Sequence, residues 1–112
     1  MFLHLPAPSP FELVHVALDL ETTGLESTRD AIIEVGAVKF QGNEVLDTFD
    51  TFVNPGRAIP AFIQRLTHIT PAQVKRAPFF NSVAGPLEDF IGDYPVIGHN
   101  VAFDVGFLAA NG

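Results

Sequence analysis

Residues 13–21 read LVHVALDLE, and Thr22-Thr23-Gly24 closes the run. A run this continuously apolar and β-branched reads as a central buried strand, not a half-exposed one. Side chains alternate faces along a strand, so Val14, Val16, Leu18 and Leu20 form one wholly apolar face. Leu13, His15, Ala17, Asp19 and Glu21 fall on the other. Asp19 and Glu21 are then neighbours on one face, about 6–7 Å apart along the strand. Two carboxylates at the end of a buried strand repel each other and resist desolvation. Either a cation lies between them or the strand end is open to water.

Downstream, Ala31–Phe40 (AIIEVGAVKF) and Glu44–Val53 (EVLDTFDTFV) read as two more strands. Gln41-Gly42-Asn43 between them is short enough for an antiparallel hairpin. Pro60 then opens a short helix, and Thr70-Pro71 reads as an N-cap with proline at the first helical position. Phe79, Val83, Leu87, Phe90 and Ile91 recur near helical spacing, with Gly85-Pro86 inside the stretch counting against one unbroken helix. Pro95–Gly98 is a short strand, and Asn100 is a suitable N-cap for a last helix over 101–110. Three prolines within residues 1–10 make residues 1–12 an irregular lead-in to a single domain over 13–112. The order of elements predicts an α/β layered domain with a mixed sheet.

Asp104 is the second anomaly. In HNVAFDVGFLAA it is surrounded by Val101, Ala102, Phe103, Val105, Phe107 and Leu108. A helix apolar on all sides is expected to be buried on all sides. Asp104 then either caps its own helix, pairs with a distant arginine, or joins Asp19 and Glu21 around a metal. Oxygen donors of this kind suit hard cations such as Mg²⁺ and Mn²⁺. A pair of such ions about 3.5–4 Å apart is the usual device for phosphodiester cleavage.

These residues also carry a resemblance. VALDLETTG at 16–24 resembles the first motif of the DnaQ-like (DEDD) 3′–5′ exonucleases, and HNVAFDVGFL at 99–108 resembles the second. Ile59-Pro60, LTHIT at 66–70 and Ala77-Pro78 are similar to the segment that joins them. The resemblance implies an RNase H-like sheet with flanking helices, its first three strands antiparallel and its fourth parallel to the first. It implies that Asp19, Glu21 and Asp104 are the catalytic ligands of two Mg²⁺ or Mn²⁺ ions. Thr22, Thr23 and Gly24 are implied to meet the terminal nucleotide, with Leu25 as a wedge against its base. His99, Asn100 and Phe103 are implied to line the same pocket, with Ile69 packed nearby.

Two departures stand out. His68 occupies a position where the family often has glycine. The family's third motif, with its histidine (or tyrosine) base and fourth carboxylate, has no counterpart before Gly112. The expectation is therefore the first two-thirds of such a domain, lacking the C-terminal part of the fold, inactive by itself and with exposed apolar surface.

Composition narrows the alternatives. With 112 residues, 47% of them hydrophobic, the chain has material for one core. It has no cysteine, which excludes disulfides, thiol nucleophiles and thiolate-bound zinc. No apolar run reaches membrane-spanning length and the N-terminus lacks a basic leader, so a cytoplasmic protein is expected. The net charge of −7 opposes general polyanion binding. Yet from Thr51 to Leu87 there is no acid, while Arg57, Arg65, Lys75 and Arg76 all lie there. That segment is either a solvated surface or a landing strip for phosphates. The function expected is removal of nucleotides from single-stranded DNA 3′ ends, in proofreading or repair, beside a polymerase or helicase. An exoribonuclease and a non-catalytic nucleic-acid-binding module are the alternatives.

Overall fold

The computed structural model describes residues 13–98 and 101–111. The lead-in at 1–12 and the pair His99-Asn100 lie outside the described residues. The elements follow the order β1 (Val14–Thr22), β2 (Ile32–Gln41), β3 (Glu44–Phe52), α1 (Ala61–Thr67), α2 (Pro71–Lys75), α3 (Phe80–Ile91), β4 (Val96–Ile97) and α4 (Val101–Asn111). One sheet holds the strands in the order β3-β2-β1-β4. β2 is antiparallel to both β1 and β3, and β4 runs parallel to β1. The expected mixed sheet is therefore present, with strand ends within a residue or so of those read from the pattern.

Alternation in β1 decides which face is the core. Val16, Leu18 and Leu20 are 0%, 3% and 6% exposed. With Val35 and Ala37 of β2 they meet Val83 and Leu87 of α3 and Phe107 of α4. Both long helices thus cover the inner face. The outer face carries Ala17, Asp19, Glu34, Gly36, Thr48 and Asp50 around a broad depression of about 720 Å³.

A bulge divides the packing. Glu21 pairs with Glu34 but Thr22 pairs with Ile32, which leaves Ile33 as an extra residue on β2. A bulge of this kind re-aims the side chains around it. Consecutive Ile32 and Ile33 are consequently both buried, in different clusters. Ile32 enters the main core, while Ile33 meets Ile59, Ile63, Ile69 and Val74 in a second core that anchors α1 and α2.

Helix ends follow the local chemistry. Thr70 caps α2: its Oγ1 accepts from Gln73 N, and Gln73 Oε1 accepts from Thr70 N, a complete capping box. Gly85-Pro86 does not break α3, which is one helix with Pro86 inside it. Gly85, Pro86 and Ser82 all face solvent, where a carbonyl freed by proline is satisfied by water. The expectation for α4 also needs correcting. Phe107 is fully buried, but Val105 is 49% exposed and Ala109 and Ala110 lie open. Among the described residues, nothing packs over that side of the helix.

His68 ends α1 in the left-handed region, at φ 62° and ψ 17°. Its N–H reaches Gln64 O at 2.8 Å, the bond that terminates the helix. This conformation costs a residue with a Cβ about 1–2 kcal/mol and costs glycine almost nothing. A glycine there, which the family resemblance implies, would have a backbone reason that His68 does not satisfy. His68→Gly is expected to stabilise the fold by about 1 kcal/mol, seen as a higher urea midpoint at unchanged slope; no gain would show the turn relaxed by other means.

Candidate active site

The outer face at the bulge is where acidic side chains collect. Asp19 is exposed and Glu21 half-buried. Desolvation and then the Asp19 charge raise the Glu21 carboxyl above its ordinary value of 4.5. The regular β1–β2 register sets Glu34 opposite Glu21, at the last pair before the bulge. Burial, then the charge of Asp50 and the hydrogen bond it shares with Glu34, then Glu21 and Asp19, raise Glu34 above 4.5. Four carboxylates from three strands thus influence one another.

Glu34 and Asp50 were not singled out from the sequence. The available signal was a lone acid in the apolar run AIIEVGAV. It becomes informative only once pairing puts it across from Glu21.

Asp104 lies in the first turn of α4 and is 5% exposed. It does not close a three-carboxylate group with Asp19 and Glu21. Among the described residues, no three histidine or carboxylate side chains stand close enough to hold an ion. The donor chemistry nevertheless fits a hard divalent cation, since every donor is a carboxylate oxygen. The charge on Asp19 that raises Glu21 is a repulsion such a cation relieves.

The turn after β1 is built around Asp30. Thr23 Oγ1 donates to Asp30 Oδ1 at 3.3 Å, and Glu26 N–H donates to Oδ2 at 3.0 Å. Ala31 N–H donates to Thr23 Oγ1 at 2.9 Å, and Thr22 Oγ1 donates to Gly24 O at 2.6 Å. Thr22 and Thr23 are buried, and their hydroxyls serve the turn itself. Gly24 is required because a Cβ there would overlap the Asp30 carboxyl group. The result is a rigid loop presenting Leu25, which is 84% exposed.

Of the remaining predicted residues, Phe103 is half-buried, packs against the main core and stands 4.8 Å from the Phe107 ring. Ile69, 3% exposed, belongs to the second core beneath the connector. His99 and Asn100 fall outside the described residues.

A family model described as "Exonuclease" (RNase_T) matches residues 16–111. The chain belongs to this DnaQ-like exonuclease family. The DNA polymerase III PolC-type protein of Clostridium perfringens is 44% identical over 101 residues, which is 90% of this chain and 7% of that protein. The chain therefore spans a small part of its curated relative. An apo structure of exonuclease I superposes with a TM-score of 0.76 at 17% identity, over 87% of this chain and 24% of that one. Exonuclease X in complex with 5′-overhanging duplex DNA gives a TM-score of 0.70 at 25% identity, over 83% of this chain and 52% of that one. The sheet order, with β4 parallel to β1, is the RNase H-like fold shared with these exonucleases.

Two outcomes follow from this geometry. Gly24→Ala is expected to cost about 1–3 kcal/mol, because Asp30 has to leave Thr23 and Glu26 to make room; an unchanged denaturation midpoint would mean the loop adjusts freely. Glu34 holds its proton more tightly folded than unfolded. Its stabilising effect is thus complete below the unfolded value of 4.5 and is lost as pH rises through the raised folded value. Glu34→Gln is expected to be more stable than the wild type near neutral pH and to weaken the decline with rising pH. Urea titrations across that range measure both, and parallel wild-type and variant profiles would contradict the assignment.

Proposed function

We propose that this domain is the metal-binding part of a 3′–5′ exonuclease centre that hydrolyses phosphodiester bonds at the ends of single-stranded DNA. The observation that carries this reading is the open Asp19–Glu21 pair beside a rigid loop that holds Leu25 in solvent, in a chain of the exonuclease family. Asp19, Glu21 and Asp104 would be the residues to hold two Mg²⁺ or Mn²⁺ ions. When bound, such ions supply an activated water and stabilise the leaving oxygen.

The protein's own residues do the positioning. Leu25 bears on the terminal base, and Gly24 lets the backbone approach the nucleotide closely. Thr22 and Thr23 keep that turn in shape. Phe103, with His99 and Asn100 before it in sequence, forms the opposite wall, and Ile69 supports the connector from below. DNA as substrate is supported by the polymerase name of the relative and by the DNA in the exonuclease X complex. The same relative supports work alongside a polymerase, in proofreading or repair. No helix among the described residues is long and apolar enough to cross a membrane.

The histidine base and fourth carboxylate that the family resemblance calls for are not found among these 112 residues, so this stretch by itself should turn over little. The decisive experiment uses a polypeptide that also carries the third motif. Mg²⁺-dependent shortening of 3′-terminal DNA is expected there, slower on matched RNA, and lost in Asp19→Ala. Wild-type shortening by Asp19→Ala would remove the basis of the reading, and equal or faster decay of RNA would move the substrate to RNA.

A further inference from the structure

The loop that carries Leu25 is tied to a second feature. Arg57, between β3 and α1, donates from Nη1 to the backbone carbonyl of Arg29 in the β1–β2 connection. Arg57 also lines a cleft of about 220 Å³, together with Asn54, Ile59, Pro71, Val74 and Lys75. The floor is apolar and fixed, since Ile59 and Val74 are each 4% exposed and belong to the second core.

Asn54 braces both walls. Its Oδ1 accepts from Gly56 N–H at 2.9 Å, and its Nδ2 donates to the Lys75 carbonyl at 3.4 Å. Asn54 N–H reaches Pro78 O at 2.8 Å, which joins the same walls through the backbone. No acidic side chain lines the cleft, in a protein whose net charge is −7. Two cationic residues beside an apolar floor make a site for anionic oxygen, because low polarity nearby strengthens their field.

We propose that this cleft holds the phosphodiester backbone of single-stranded nucleic acid upstream of the terminal nucleotide, with Arg57 and Lys75 each taking one phosphate. The proposal rests on the exonuclease reading and adds where the strand goes after it leaves the Leu25 loop. A strand whose end sits at Asp19 and Glu21 is repelled by the neighbouring carboxylates Glu34 and Asp50. It is drawn instead past Leu25 toward the connector, where the segment from Thr51 to Leu87 has cations and no acid. The guanidinium of Arg57 has five donors, and one of them is anchored by Arg29, which orients the rest. Lys75 contributes a point charge at the other wall.

The test is binding of a long 5′-labelled thymidine oligonucleotide and of a labelled thymidine dinucleotide in Ca²⁺, by fluorescence anisotropy over a range of KCl. Wild type, Lys75→Gln and the double variant Arg57→Gln/Lys75→Gln are compared, with Asp19→Asn as a control for the carboxylate end. Each phosphate contact on a single strand contributes about 0.7 to the slope of log affinity against log salt. Lys75→Gln is therefore expected to lower the slope for the long strand by about 0.7 and the double variant by about 1.4, with dinucleotide binding unchanged in both. The Lys75 side chain makes no hydrogen bond that holds the cleft, since the bond to Asn54 uses its backbone carbonyl, so the single variant tests charge without loss of fold.

Unchanged slopes with the long strand, or equal losses for the long strand and the dinucleotide, would overturn the cleft. If the long-strand slopes of Lys75→Gln and the double variant match the wild type while Asp19→Asn weakens the dinucleotide, the cleft fails and the exonuclease reading stands. If wild type binds neither, both fall.

Discussion

Burying Val16, Leu18 and Leu20 against α3 and α4 forces everything between them in sequence to the opposite side of β1. That single constraint puts Asp19 and Glu21 on one outer face, because a strand has no other way to satisfy three alternate apolar residues. A slip of one residue would bury both carboxylates and expose the core. The position of the acidic pair is thus held by the hydrophobic stabilisation of the inner face, about 1.5–3 kcal/mol for each fully buried aliphatic side chain. Burial and mutual repulsion on the outer face, which raise Glu21 and Glu34, oppose this but do not change the register.

The bulge at Glu21/Thr22 adds the second level of organisation. It lets Ile32 and Ile33 each enter a core, and so fastens the α1–α2 connector to the same strand that carries Glu34. Immediately beside it, Asp30 shapes the Thr22–Leu25 turn from within. Three features therefore share a few residues: an acidic surface, an exposed leucine and the root of a basic segment. The two hydroxyls of Thr22 and Thr23 illustrate the economy of the turn. The family resemblance implies contact with the nucleotide, but here both hydroxyls serve the turn's own hydrogen bonds.

Electrostatically the molecule is divided more than its net charge suggests. Carboxylates gather where β1, β2 and β3 meet at the bulge, and a cleft with two cations opens next to the connector. Arg57 physically joins the two regions through the Arg29 carbonyl. An acidic protein with this separation repels a polyanion over much of its surface and concentrates its cations along one side.

Much of this was legible in the residues themselves. Alternation in LVHVALDLE determined the core face and the acidic face; the hairpin at Gly42 and the Thr70-Pro71 helix start followed from local backbone preferences. Asp19, Glu21 and Asp104 were recognisable because charges in apolar runs need a reason. Glu34 and Asp50 were not, since only cross-strand pairing brings them to Glu21. The same holds for Asp30, whose carboxyl group fills the space that Gly24 leaves, and for the α3 proline, which a solvent-facing carbonyl makes harmless. Local sequence determines periodicity, caps and turns because those depend on near neighbours. Which carboxylates meet, which faces stay open and where two cations flank one cleft depend on contacts between distant segments, and only the folded chain decides them.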